Sequence, residues 1–266
     1  MTDAPLIDIR NATIHRGRTR VFENLTLKID QHEPAAILGP NGSGKTTLLK
    51  VINRELYPMR QDDAWVRILG RETWNVWELR SHIGIVSHDL QTRYRDKTSG
   101  LHVVLSGFLS SVGIHGSLAG RLSAKQKTRA VEIMESLGIG ALAGTELRVM
   151  STGQQRRCLL ARALVHDPDT LILDEPTAGL DLAASFDYLA RIRQLTESGK
   201  NIVLVTHLLN EIPPEIDRVI LLREGKIVAD GAKATVVTEK NLRHTYGIEL
   251  RLAKIDDYYL AYPASS

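Results

Sequence analysis

Short, unbroken apolar runs recur along this chain and set its architecture. Residues 35–38, 83–86, 170–173 and 201–206 are almost wholly apolar. Runs of that length suit strands buried on both faces of a parallel sheet, and long helical stretches separate them. A different pattern opens the chain. Leu6, Ile7, Ile9, Val21, Phe22, Leu25, Leu27 and Ile29 alternate with polar residues, and Trp65-Val66-Arg67-Ile68 resembles them. Period-two alternation predicts a small antiparallel sheet with one face in the core. Residues 219–222, Gly225 and 226–228 read as a hairpin turning at the glycine. From about 88 to 165 the character is helical. Residues 123–137, with Ala130, Val131, Ile133, Met134 and Leu137, are its clearest helix. The expected fold class is α/β.

The last stretch, 232–266, reads as an appended element. Residues 241–247 suggest a short helix ending at Gly247, and 248–252 then alternate like a strand. Tyr258, Tyr259 and Tyr262 are expected to cover an apolar edge. The segment Arg93-Tyr94-Arg95-Asp96-Lys97 reads as a solvated loop, with docking to a membrane partner as the functional alternative.

Three local motifs carry chemistry. Gly39-Pro40-Asn41-Gly42-Ser43-Gly44-Lys45-Thr46 satisfies G-x-x-x-x-G-K-[ST], with an apolar strand before it and helical sequence from Thr47 after it. Glycines there turn backbone N–H groups toward a polyphosphate, and the helix N-terminus adds partial positive charge. Lys45 would reach the β- and γ-phosphates, and the Thr46 hydroxyl would ligate Mg²⁺. Second, the run 170–173 ends in Asp174-Glu175. This places two carboxylates at the carboxyl edge of a parallel strand, where ligands bind. Asp174 can hold the Mg²⁺ shell, and Glu175 can accept a proton from water. Acids serving a helix dipole are the plainer explanation. Third, Ser151 and Gln154 have the S-x-x-Q spacing of a capping box ahead of an apolar helix.

The order of these motifs, followed by Ala178-Gly179-Leu180-Asp181 and by His207 after the 201–206 run, resembles an ABC-family ATPase over nearly the whole chain. Its tail, 232–266, is similar to tails in nucleotide-binding subunits of the iron-siderophore and cobalamin importer group. The resemblance implies a P-loop NTPase core with a parallel sheet, an N-terminal antiparallel β-subdomain and a helical subdomain bearing a signature motif. On that basis residues 1–231 form the ATPase domain, with the helical subdomain at about 88–165, and 232–266 pack on it as an extension. It also implies that Ser151, Gly153 and Gln154 grip the γ-phosphate of ATP held by a second copy, and that Asp181, in the D-loop equivalent 178–181, belongs to the same composite nucleotide site. His207 would contact the γ-phosphate, and Glu175 would be the general base. Thr152 stands where the family pattern has a glycine, and its β-branched side chain makes close backbone approach harder. The family stacks adenine on an aromatic residue near the start; here the equivalent stretch offers His15 or Arg16. At the position where relatives carry a metal-linked glutamine this chain has His88, with Gln91 three residues on. His88 is the favoured residue near the metal.

Composition bounds the function. In 266 residues, 34 lysines and arginines nearly balance 31 aspartates and glutamates, so charge does not point to nucleic acid. Cys158 is the one cysteine, which excludes an internal disulfide and suits a reducing compartment. The start of the chain lacks an apolar leader pattern. Residues 101–120 are interrupted by His102, His115, serines and glycines, so no membrane span is expected. These readings converge on ATP and Mg²⁺ as ligands. The resemblance implies a head-to-tail dimer with a second copy and transmembrane permease subunits as partners at the inner face of the membrane. The function expected is ATP-driven closure energising an importer. The alternative is a soluble ABC ATPase working as a mechanical switch in cofactor assembly, repair or translation.

Overall fold

The computed structural model describes residues 4–114 and 120–264, and the backbone but not the side chain of His88. In chain order the elements are β1 (Ile7–Arg16), β2 (Thr19–Ile29), β3 (Ala35–Leu38), α1 (Lys45–Ile52), β4 (Trp65–Ile68), α2 (Val76–His82), β5 (Ile83–Val86), α3 (His88–Thr92), α4 (Gly100–Leu105), α5 (Ala124–Ser136), α6 (Thr152–Leu164), β6 (Thr170–Asp174), α7 (Leu182–Glu197), β7 (Asn201–Thr206), β8 (Arg218–Arg223), β9 (Lys226–Ala232), α8 (Lys233–Val236), α9 (Glu239–Tyr246), β10 (Leu250–Ile255) and β11 (Tyr258–Pro263). They fall into two compact units, Met1–Val76 with Asn201–Ser266, and Trp77–Lys200.

In the first unit, β1 pairs antiparallel with β2 and with β4, as the alternation at the start of the chain predicts. Ile7, Ile9, Ile14, Phe22, Leu27 and Ile29 are buried on its inner face. Pairing between β1 and β2 shifts register near Asn11, whose φ of 46° lies in the left-handed region that asparagine tolerates. The strand β3 lies between β7 and β8, parallel to both, and is buried throughout. This explains its unbroken apolar run. The hairpin β8–β9 closes through Glu224 and Gly225, both at positive φ. The tail adds α9 and the antiparallel pair β10–β11. Helix α9 ends where Gly247 adopts φ 70°, as a helix C-terminus favours. The strand after it begins at Leu250, later than the alternation of 248–252 suggests, and Ile248 is exposed. Tyr258 and Tyr259 are partly covered, and Tyr262 is half exposed, at 50%.

In the second unit, β5 and β6 pair in parallel. Helix α5 is bounded by a capping box between Ser123 and Gln126 and buries Ala130, Ile133 and Met134, while Val131 faces outward. Helix α6 buries Cys158, Leu159, Leu160 and Ala161. Arg93, Arg95 and Lys97 are exposed as a solvated loop requires, yet Tyr94 between them is buried. Its hydroxyl lies 2.7 Å from Ser106 Oγ, so it anchors that loop instead of belonging to its surface. Among the described residues, no helix is long and apolar enough to cross a membrane.

Candidate active site

The phosphate loop belongs to the first unit. It runs from the end of β3 into α1, and its glycines serve distinct purposes. Gly42 and Gly44 hold φ 80° and 114°, which L side chains rarely adopt. At Gly39 the reason is space, because a Cβ there would sit 2.1 Å from the Leu222 carbonyl oxygen. The loop is fastened from three directions. Gly39 N donates to the Thr206 carbonyl (3.3 Å), Ser43 N to the Pro40 carbonyl (3.2 Å), and Gly225 N to the Ser43 carbonyl (2.9 Å). Lys45 is almost fully buried, and its ammonium donates to the carbonyls of Gly39 (2.7 Å) and Pro40 (3.0 Å) across the loop.

A polyphosphate fits this cradle. Helix α1 starts at Gly44 without a side-chain cap and without an acid in its first turn. Its first N–H groups are therefore left for an external anion. Ser43 Oγ is buried without a hydrogen-bond partner, a polar atom that an anion oxygen would satisfy. Thr46 is exposed on the first turn, and Thr47 beside it is buried.

Two further pieces of the first unit adjoin the loop. Phe22 of β2 packs on Gly44: a Cβ at Gly44 would lie 2.8 Å from its ring. Since Ile14 pairs with Phe22 and His15 with Arg20, His15 stands beside that contact at the end of β1. Its ring is half-buried, whereas Arg16 is exposed. His207, directly after β7, is also half-buried. The preceding residue, Thr206, is the one whose carbonyl accepts from Gly39.

The carboxylates and the capped helix belong to the second unit. Asp174 is the last residue of β6, and Glu175 follows at φ 46°. A non-glycine residue there costs on the order of 1–3 kcal/mol, strain found where side chains must be aimed. The turn is closed by Ala178 N donating to the Glu175 carbonyl (3.1 Å). The fully buried Arg156 of α6 donates to the Ala178 carbonyl (3.4 Å), tying the turn to that helix.

At the start of α6, Gln154 N donates to Ser151 Oγ (3.2 Å) and Ser151 N donates to Gln154 Oε1 (2.9 Å). The capping box is thus formed, with Ser151 and Thr152 exposed beside it. Gly153 faces α7, where a Cβ would approach Ala184 Cβ to 3.2 Å. Asp181 caps α7 by accepting from Ala184 N (2.8 Å).

Helix α3 opens at His88 with Ser87 as its cap. The side chain of His88 lies outside the described residues, so its metal role is not represented. Gln91 sits one turn on, and its amide donates to Gln155 Oε1 of α6 (2.7 Å). Sequence spacing gave no hint of that link across 64 positions. The role of Phe22 beneath Gly44 was equally hidden, since an aromatic in an alternating strand reads only as core.

Residues 22–178 match the family described as ABC transporter. The chain belongs to that family. As an ABC ATPase it binds and hydrolyses ATP. A Streptococcus mutans protein, described as a candidate ABC transporter ATP-binding protein, is 33% identical over 95% of this chain and 96% of its own length. The hemin import ATP-binding protein HmuV of Bradyrhizobium diazoefficiens is 28% identical, covering 98% of this chain and 95% of its own. Among solved structures, the dimeric post-hydrolysis ATP-binding cassette MJ0796 bound to ADP and Pi superposes with a TM-score of 0.69. It is 27% identical over 85% of this chain and 98% of its own. The ABC ATPase therefore has the mixed α/β fold its motif order implies.

Proposed function

We propose that this ABC ATPase energises an importer, working as a head-to-tail dimer with a second copy and docked on permease subunits at the inner face of the membrane. The full-length correspondence with a hemin import ATP-binding protein carries this reading. The dimeric form of the MJ0796 cassette supports the dimer. Residues 1–231 are read as the ATPase domain, with 88–165 as its helical part, and 232–266 as an extension.

In this reading Gly39 to Thr47 cradle the triphosphate, and His15 lies against adenine. Lys45 exchanges the loop carbonyls for phosphate oxygens as charge develops there. Thr46, Asp174 and His88 would hold Mg²⁺, which would supply neutralisation of phosphate charge. Among the described residues no cluster of three or more His, Cys, Asp or Glu gathers. Glu175 takes a proton from the attacking water, and His207 balances charge on the γ-phosphate. Ser151, Gly153, Gln154 and Asp181 serve the nucleotide of the second copy.

Glu175→Gln keeps the shape of the carboxylate and removes its basicity. Turnover should fall on the order of 10²–10⁴-fold while ATP binding persists, and the ATP-bound variant should elute as a dimer. Near-normal hydrolysis would remove Glu175 from the base role. Affinity purification in mild detergent should recover a multi-span permease; co-purification with a soluble assembly complex instead would overturn the importer reading.

A further inference from the structure

We infer that Tyr246, in the C-terminal tail, is a positioning residue for His207. Its hydroxyl donates to the His207 backbone carbonyl at 3.0 Å, across 39 positions of sequence. The inference rests on His207 acting at the γ-phosphate, as proposed above.

The loop that carries His207 is held at several points. Its start is tied to the phosphate loop, because the Thr206 carbonyl accepts from Gly39 N (3.3 Å). Thr206 Oγ1 accepts from Leu208 N (2.9 Å) and bonds the carboxylate of the buried Glu211, in the short 3₁₀ turn Leu209–Glu211. These contacts fix the residues on either side of 207. The bond from Tyr246 reaches residue 207 itself and comes from outside the loop. A carbonyl held in place sets the peptide plane after His207, and with it the direction in which the imidazole leaves the backbone.

The donor is itself well placed. Tyr246 ends α9, which Thr238 caps at one end and Gly247 terminates at the other through Gly247 N to the Arg243 carbonyl (2.8 Å). Leu242, Thr245 and Leu250 anchor this segment in the core. Arg223, at the end of β8, donates to the His244 carbonyl. Glu239 accepts from Leu252 N (3.2 Å) and pairs with Arg243 and Arg251, joining helix to hairpin. Burial pushes the phenol above its ordinary range, so it stays protonated and able to donate across working pH. The tail is thereby built to hold one backbone atom beside the phosphate loop.

Tyr246→Phe removes the hydroxyl and keeps the ring. The test measures steady-state kcat and KM for ATP, with affinity for a fluorescent ATP analogue, in Tyr246→Phe, His207→Ala and the double variant. Radiolabelled ATP keeps slow rates measurable. Tyr246→Phe should lower kcat about three- to tenfold, the value of one hydrogen bond, with KM and analogue affinity within about twofold. In the His207→Ala background the same change should cost nothing further. Wild-type kcat in Tyr246→Phe, alongside a collapsed His207→Ala, would overturn the inference and leave the reading of His207 intact. Equal losses in both backgrounds would also overturn it. Full activity in His207→Ala would sink the reading of His207 and the inference with it.

Discussion

Ser151 has a structural use and a proposed catalytic one, and replacing it with alanine separates them. Ser151→Ala removes the acceptor for Gln154 N at 3.2 Å, whereas the reciprocal bond from Ser151 N to Gln154 Oε1 at 2.9 Å can persist. Both residues lie at the exposed start of the helix, so water can take over the freed N–H. Half of an exposed capping box is therefore lost, and the cost belongs at the low end of cap substitutions, about 0.5–1 kcal/mol. Unfolding entropy scales with chain length, so for a chain of this size that is a fall in Tm of about 1–2 °C. At 30 °C the folded fraction would barely change. If the hydroxyl also holds the γ-phosphate of the second copy's ATP, hydrolysis should drop far more, about tenfold or beyond, because a hydrogen bond to a charged group is worth about 1.5–3 kcal/mol. The assay pairs a thermal melt without nucleotide with ATPase rates over a range of protein concentration. Ser151→Thr retains a capping hydroxyl and should keep the melt. Unchanged hydrolysis in Ser151→Ala, with the small Tm loss present, would show that this serine caps a helix and nothing more.

Gly39→Ala should abolish ATP binding in an otherwise folded protein, since its Cβ would press to 2.1 Å of a backbone oxygen and displace the phosphate loop; calorimetric titration with ATP checks this. Gln91→Ala strands Gln155 Oε1 in a partly buried setting and should lower Tm by about 2 °C, seen in the same thermal melt. Cys158 is fully buried and its thiol is pushed up to about 11, so maleimide should label it slowly at pH 8 and promptly in denaturant. Because the folded thiol titrates above its ordinary value, its contribution to stability is complete below about pH 8 and lost as pH rises toward 11; Cys158→Ser should flatten that alkaline decline in a melt series.

What the sequence determined by itself is local. The phosphate loop, the strand that ends in Asp174 and the capping box at Ser151 each lie within a few consecutive residues, where chain geometry leaves few choices. Hydrophobic period decided the strands as firmly, because burial on one face or on both imposes different spacings. Family order then tied these pieces to ATP. Tertiary structure decided what joins residues distant along the chain. Gly39 looks like any loop glycine until Leu222 is brought against it. Tyr94 sits among charges and reads as surface, yet Ser106 draws its hydroxyl inward. Gln91 finds Gln155 on another helix, and Tyr246 finds the carbonyl of His207. Periodicity reports only that a side chain is buried; the identity of its neighbour depends on how whole elements pack, and no spacing along the chain encodes that.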